Sequence, residues 1–160
     1  MTADFDAAAH ATFANFLQEM DDRLQQLELL ADEDGLYLDY NEVSLADFET
    51  LLGWLLDEAR TSGGDATSII VTGARYLGEV MRRVHGGEWH LSLDDPKSVH
   101  YNTPVIVGHN ASGTEFAPIF LCRAFAKRRQ LGLFARAIRS QIAPESLDLG
   151  SLLAQEQNSR

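Results

Sequence analysis

Residues 73–91, GARYLGEVMRRVHGGEWHL, place two kinds of predicted secondary structure side by side. Apolar side chains recur every three or four positions up to His85, and a glycine pair follows. After the glycines, Trp89 and Leu91 alternate with polar residues. The first spacing indicates an amphipathic helix, glycine commonly ends a helix, and strict alternation indicates a half-buried strand. The stretch therefore predicts a helix, its stop and the first strand of an α+β domain.

Helical periodicity extends on both sides of this stretch. An apolar face predicts a long first helix over residues 4–31 with Asp4 as its N-cap. A second helix is predicted over residues 44–60, opened by a capping box of Ser44 and Asp47. Asp65 is a good cap for the helix that ends near His85. Gly73 and Ala74 in that helix are small, so a neighbouring element can approach closely there. A last helical stretch is predicted over residues 117–144, interrupted at Gly132.

The remaining pattern predicts the sheet and the domain limits. The run TPVIVG at residues 103–108 is a second strand candidate, which pairs naturally with the strand at Trp89. We expect one domain over residues 1–150 and a frayed tail over residues 151–160. The predicted fold class is α+β, predominantly helical with a small antiparallel sheet.

Composition narrows the class of protein. The chain has 160 residues, of which 45% are hydrophobic and 23% are charged, as in an ordinary globular domain. Its first residues lack the basic and apolar regions of a secretory signal, and no apolar run approaches 18 residues. Cys122 is the sole cysteine, so the chain forms no internal disulfide and no thiolate zinc cage. We expect a cytoplasmic protein that does not enter a membrane.

Charge is distributed unevenly along the chain. Residues 1–60 contain 15 acidic and 2 basic side chains, whereas residues 116–160 contain 3 acidic and 7 basic ones. The formal net charge of −11 repels nucleic acid and suits a basic partner. Six bases lie between Glu115 and Glu145 with no acid among them. These bases either pair with the acidic first half or form a face that binds an anion or a partner.

Glu79, His85 and His90 are the first candidates for chemistry. On a helical wheel Glu79 shares the face opposite the apolar stripe with Arg75 and Arg83, which favours ion pairs over proton transfer. His85 is expected at the helix end and His90 on the outer face of the strand. No HExxH-like spacing joins them, although His100 and His109 could approach from other loops.

Other catalytic motifs are missing from the sequence. It has no G-x-S-x-G nucleophile elbow, and its glycine-rich stretches match neither a phosphate loop nor a dinucleotide fingerprint. Cys122 lies among Phe120, Leu121 and Phe125, which predicts a buried structural thiol rather than a nucleophile. We therefore expect a protein that is not an enzyme and uses no cofactor or metal.

The runs YLGEV, GGEW, PVIVG and AFAKRR, within residues 70–130, resemble small bacterial domains of unknown function of the DUF3806 group. Similar small acidic proteins occur among the immunity proteins of contact-dependent and secreted toxin systems. The resemblance implies a compact α+β domain in which Tyr76, Gly78, Glu79 and Trp89 mark the junction of helix and strand. It assigns no catalytic residue.

We expect a binding protein, with three alternatives for what it binds or does. The leading expectation is an immunity or inhibitor protein that neutralises a bacterial toxin by covering a basic surface. Its expected contacts are Asp21, Asp22, Asp32, Glu33, Asp34 and Asp39. The second is a small-molecule sensor whose anion site comprises Arg75, Arg82, Arg128 and Arg129. The third is a metal-dependent hydrolase.

Overall fold

The computed structural model describes the backbone of residues 2–142 and the side chains of residues 6–142. The predicted frayed tail, residues 151–160, lies outside this range. The elements in chain order are α1 (Thr2–Gln18), α2 (Met20–Glu33), α3 (Leu45–Ser62), α4 (Ala66–His85), β1 (Glu88–Leu91), β2 (Pro104–Val107), α5 (Pro118–Arg128) and α6 (Leu133–Ile142). The predicted class, α+β with mostly helices and a small antiparallel sheet, is confirmed.

Helix α4 lies at the centre of the described structure. All nine residues from Gly73 to Met81 are buried, with α2, α3 and α5 packed against the helix. A Cβ at Gly73 would lie 3.2 Å from a methyl of Leu52 and 3.5 Å from the Cys122 sulfur. The predicted close approach at the small residues is therefore confirmed, and so is the burial of Cys122, which is 0% exposed.

The sheet contains two antiparallel strands, with Trp89 opposite Ile106 and Leu91 opposite Pro104. Ile106 also forms an isolated antiparallel bridge with Phe116 just before α5. Both predicted strands are confirmed, as is the glycine stop between α4 and β1, where Gly86 has φ of 91°. The sheet thus fixes β1 and the start of α5 beside α4.

One cluster of buried side chains joins these elements. Tyr76 is 0% exposed and packs between Tyr40 and Phe48, with ring centroids 4.8 Å from each. Phe48 continues to Phe134 at 5.3 Å, and Phe134 contacts Phe125 at 5.2 Å. Aromatic pairs at these distances contribute beyond the area they bury. They link the loop before α3 to α5 and α6.

Within the described residues, no helix is long and apolar enough to cross a membrane.

The prediction of one helix over residues 4–31 is wrong at two points. The chain is helical from Thr2, so Asp4 lies inside α1 and is not its N-cap. The helix also breaks at Glu19, which has φ of −86° and ψ of 0°. Arg75 Nε donates to the Phe16 carbonyl at 3.3 Å. That carbonyl would accept from the amide of Met20 in an unbroken helix, so a distant arginine competes for it.

The predicted capping box before α3 is also wrong. Ser44 has helical φ and ψ and no capping hydrogen bond from its side chain. Its hydroxyl lies 2.6 Å from the Tyr76 hydroxyl and 2.6 Å from the Asn41 carbonyl. The Asp47 carboxylate accepts from the amide of Tyr37 instead. The Ser44 hydroxyl therefore bonds with Tyr76 of α4 rather than with the backbone amides that the local pattern assigned to it. The Asp65 cap is confirmed, because its carboxylate accepts from the Thr67 amide at 2.9 Å.

The joint between α5 and α6 is held by acids of α3. Arg129, in the left-handed region with φ of 50°, places its guanidinium 2.7 Å from an Asp57 oxygen. The Glu49 side chain, 5% exposed, accepts from the amide of Gly132 at 3.0 and 3.1 Å. Part of the basic segment therefore pairs internally with the acidic first half.

Candidate functional site: a cleft beside Arg75

A mostly apolar cleft of about 500 Å³ opens between α1, α4, β1, α5 and the residues that lead into β2. Helix α1 contributes one wall through Ala8, Ala9, Thr12, Phe13 and Phe16. The other walls are formed by Val71, Leu91, Asn102, Thr103, Pro104 and Ile119. A volume of this size is in the range of small-molecule pockets in proteins. The charged side chains at the cleft are Arg75, Arg123 and Glu19.

Arg75 is the distinctive group in this cleft. It is 4% exposed although the wheel placed it on the outer face of α4. Among the described residues its one hydrogen bond goes from Nε to the Phe16 carbonyl, and its guanidinium carbon lies 4.5 Å from the centroid of the Phe16 ring. Burial lowers the pKa of Arg75, while Glu19 opposes that effect. The guanidinium still remains charged at neutral pH.

Glu19 is the acid that faces Arg75. Its Oε2 lies 3.7 Å from Arg75 Nη2 and 3.6 Å from Arg23 Nε, so neither distance is that of a close hydrogen bond. Its side chain is 52% exposed, whereas that of Arg75 is 5% exposed. Solvent screens such a pair, so Glu19 neutralises the buried guanidinium only in part.

A second polar network supports the Phe16 wall. Trp89 packs edge-on against Phe16 with ring centroids 4.9 Å apart, and its Nε1 donates to Glu79 at 3.1 Å. Glu79 in turn forms an ion pair with Arg82 at 2.8 Å and lies 4.0 Å from Arg83. Ion pairing of Glu79 is therefore confirmed. Although Glu79 lies opposite the apolar stripe of α4, Trp89 covers it and leaves it 7% exposed.

The four arginines predicted as an anion site have separate surroundings. Arg75 lines the cleft, Arg82 pairs with Glu79, and Arg129 pairs with Asp57 of α3. Arg128 is exposed at the end of α5. Of these four arginines, only Arg75 lines the cleft. Arg123 of α5, which was not among the four, lines it as well.

The six predicted partner contacts are all exposed: Asp21, Asp22, Asp32, Glu33, Asp34 and Asp39. The first two lie in the first turn of α2, and the next three lie at its other end, where no basic residue is present in the last turn. The structure places none of the six in an ion pair with another described side chain. We call these six exposed acids, five of them at the two ends of α2 and Asp39 in the loop that follows, the acidic surface of α2.

The histidines lie in different places. His85 Nε2 is 2.8 Å from a Glu42 oxygen, His90 is exposed on β1, and His109 Nε2 is 2.9 Å from Gln141. His100 packs edge-on against Phe120. Within residues 6–142, no group of three or more His, Cys, Asp or Glu side chains is placed to hold a metal ion. Burial raises the pKa of the Cys122 thiol, which disfavours the reactive thiolate.

No protein-family model, curated protein or solved structure matches the chain. The resemblance to the DUF3806 group and to immunity proteins therefore stays a prediction. The cleft and the acidic surface of α2 are the two candidate sites of the chain.

Proposed function

We propose that this chain is a non-catalytic binding protein of the cytoplasm whose cleft holds a small anionic molecule with an apolar portion. The observation that supports it is Arg75, a charged side chain in a buried position with one hydrogen bond among the described residues. Its ligand would supply the acceptor oxygens that the fold leaves out. This function corresponds to the small-molecule alternative predicted from sequence, at a site formed by Arg75 and Arg123 rather than by four arginines.

The energetics of a buried guanidinium favour such a ligand. Removing a charge from water costs several kcal/mol unless close partners compensate it. Glu19 is too distant and too exposed to do so fully. A carboxylate can accept two parallel hydrogen bonds from one guanidinium, and such charge-assisted bonds are the strong ones. A bound anion would therefore regain part of the free energy that burial of Arg75 costs.

The lining of the cleft favours an apolar portion in the same ligand. Phe13, Phe16, Val71, Leu91 and Ile119 present hydrocarbon surface around the guanidinium. Each Å² of apolar ligand surface removed from water contributes roughly 25 cal/mol. An inorganic anion would leave this surface wet, whereas an alkyl or aryl carboxylate would cover it.

Octanoate is a suitable probe for the site. Calorimetric titration should show binding to the natural chain and at least about tenfold weaker binding to Arg75→Met, since a charged hydrogen bond contributes ~1.5–3 kcal/mol. Arg128→Met makes the same change of charge outside the cleft and should bind octanoate like the natural chain. Equal affinity of the natural chain and Arg75→Met, or no binding to the natural chain, would show the proposal to be wrong. Circular dichroism checks that each variant is folded.

A second candidate function is occlusion of a basic protein surface by the acidic surface of α2, as an immunity or inhibitor protein would do. Asp32 and Glu33 lie at the C-terminal end of a helix, where negative charge costs about 0.3–1 kcal/mol per residue. Because Asp32 and Glu33 do not stabilise the helix, their negative charge is better explained by contact with a partner. Complementary charge would also speed association with a toxin.

Paired pull-downs at low and high salt test this second candidate. The natural chain should retain a basic toxin that Asp32→Asn/Glu33→Gln/Asp34→Asn loses, and retention should fall as salt screens the charges. Asp57→Asn, which removes an acid already paired with Arg129, is the control and should retain the same protein. If the triple variant and the control retained the same basic proteins, the acidic surface would have no such role.

A further inference from the structure

Glu19 is the residue that separates α1 from α2 and also the acid that faces Arg75. Its amide donates to the Asn15 carbonyl and its carbonyl accepts from the Arg23 amide, both at 3.0 Å. Its side chain lines the same cleft as Arg75. One residue therefore belongs to the joint between two helices and to the charged part of the cleft.

The Glu19 carboxylate already stands where a ligand carboxylate would compete. It lies 3.7 Å from Arg75 Nη2, about an ångström longer than the 2.7–2.9 Å of a close charge-assisted bond. Two carboxylates near one guanidinium repel each other. A ligand that made close hydrogen bonds to Arg75 would therefore displace the loosely held Glu19.

The wall of the cleft depends on the same joint. Arg75 holds the Phe16 carbonyl through Nε, one turn before Glu19, and the Phe16 ring stacks on the guanidinium. Helix α1 lines the cleft from Ala8 to Phe16, and Glu19 follows directly after the helix. Arg75 therefore contacts the Phe16 wall of the cleft and faces Glu19 at the same time.

The charges at the cleft also limit the ligand. Arg75 and Arg123 contribute two positive charges and Glu19 one negative charge, which leaves the lining with one net positive charge. A monoanion balances this charge as it enters, while Glu19 is still in the lining. Glu19 would repel a dianion such as an alkyl phosphate more strongly than a monocarboxylate, because the repulsion grows with the charge of the ligand.

We propose that Glu19 is a built-in competitor for Arg75, and that a monocarboxylate with an apolar tail displaces the Glu19 carboxylate from the guanidinium. This inference rests on the proposed function of the cleft. It adds the class of ligand and the acid that the ligand displaces.

Octanoate titration of Glu19→Gln tests the competition. Removing the competing charge should tighten octanoate binding by about tenfold, in line with the loss of one close like-charge repulsion. Asp22→Asn removes an exposed acid on the next turn, outside the cleft lining, and should change the affinity by less than about twofold. Hexyl phosphate should bind the natural chain more weakly than octanoate and gain more from Glu19→Gln.

The outcomes separate this inference from the proposed function. If octanoate binds the natural chain but Glu19→Gln binds it no more tightly than Asp22→Asn does, the competition is wrong and the cleft remains a binding site. If neither the natural chain nor Glu19→Gln binds octanoate, both proposals are wrong.

Discussion

Gly78 shows how one residue without a side chain positions the wall of the cleft. The Trp89 indole lies directly over it, and a Cβ at residue 78 would be 2.2 Å from Trp89 Cη2. We expect Gly78→Ala to push the indole away from Phe16 and Glu79. Forcing a methyl into a packed contact costs typically ~1–3 kcal/mol, so the free energy of unfolding in urea should fall by about that amount.

Gly64 is a matched control for that substitution. Its φ is not positive, and the nearest atom to an added Cβ would be 3.5 Å away, an ordinary contact. Gly64→Ala should therefore change the free energy of unfolding by less than ~0.5 kcal/mol. If Gly78→Ala unfolded at the same urea concentration as Gly64→Ala, the indole would not be tightly held.

At the scale of single residues, periodicity predicted which side chains share a face but not which face is covered. The wheel correctly grouped Arg75 and Glu79 opposite the apolar stripe. It could not show that α1 and Trp89 cover that face, because charge on a helix is normally a sign of exposure. Burial of both groups depends on elements 59 residues earlier and 10 residues later.

At the scale of elements, local signals located most helices and both strands. Asp65 and the glycines after His85 act through neighbours in sequence, so their effects were predictable. The break at Glu19 and the lost cap at Ser44 were not, since Arg75 and Tyr76 supply the competing hydrogen bonds from α4. Both of these errors occur where a tertiary contact takes a group that local rules assign to the backbone.

The start of α6 illustrates the same limit. Glu49 of α3 provides the carboxylate that accepts from Gly132, just before the helix begins. Negative charge at a helix N-terminus is favourable, and here it comes from 83 residues earlier in the chain. The sequence predicted an interruption at Gly132, but it did not predict that Glu49 accepts from the Gly132 amide at the start of α6.

At the scale of the whole molecule, the cleft itself was not predictable. Its lining comes from five elements and a loop, and apolar lining residues such as Phe13 and Phe16 follow the spacing expected of core positions. Phe13 and Phe16 in particular were assigned to the apolar face of the first helix. Only the assembled fold shows that part of this face borders an open volume beside a buried charge.

Alkaline pH should destabilise the molecule through two buried groups, Tyr76 and Cys122, and one half-buried group, Tyr40. Burial raises the pKa of Tyr40, Tyr76 and Cys122 in the folded chain. The folded state therefore keeps protons that the unfolded state loses above pH ~9–10. Stability is complete below that range and falls as pH rises, by up to ~1.4 kcal/mol per pH unit for each group. Urea unfolding at pH 8.0 and at about pH 10.5 measures the difference.

Tyr76→Phe isolates the fully buried tyrosine. Its hydroxyl accepts from the Tyr40 amide and bonds with Ser44, so the variant should be less stable at neutral pH by about 1–3 kcal/mol. Because the variant has no phenol to ionise at that position, its stability should fall less between pH 8.0 and ~10.5. Tyr37→Phe, which alters an exposed ring, should lose stability as the natural chain does. A Tyr76→Phe variant with the same alkaline loss as Tyr37→Phe would show that ionisation of Tyr76 does not contribute.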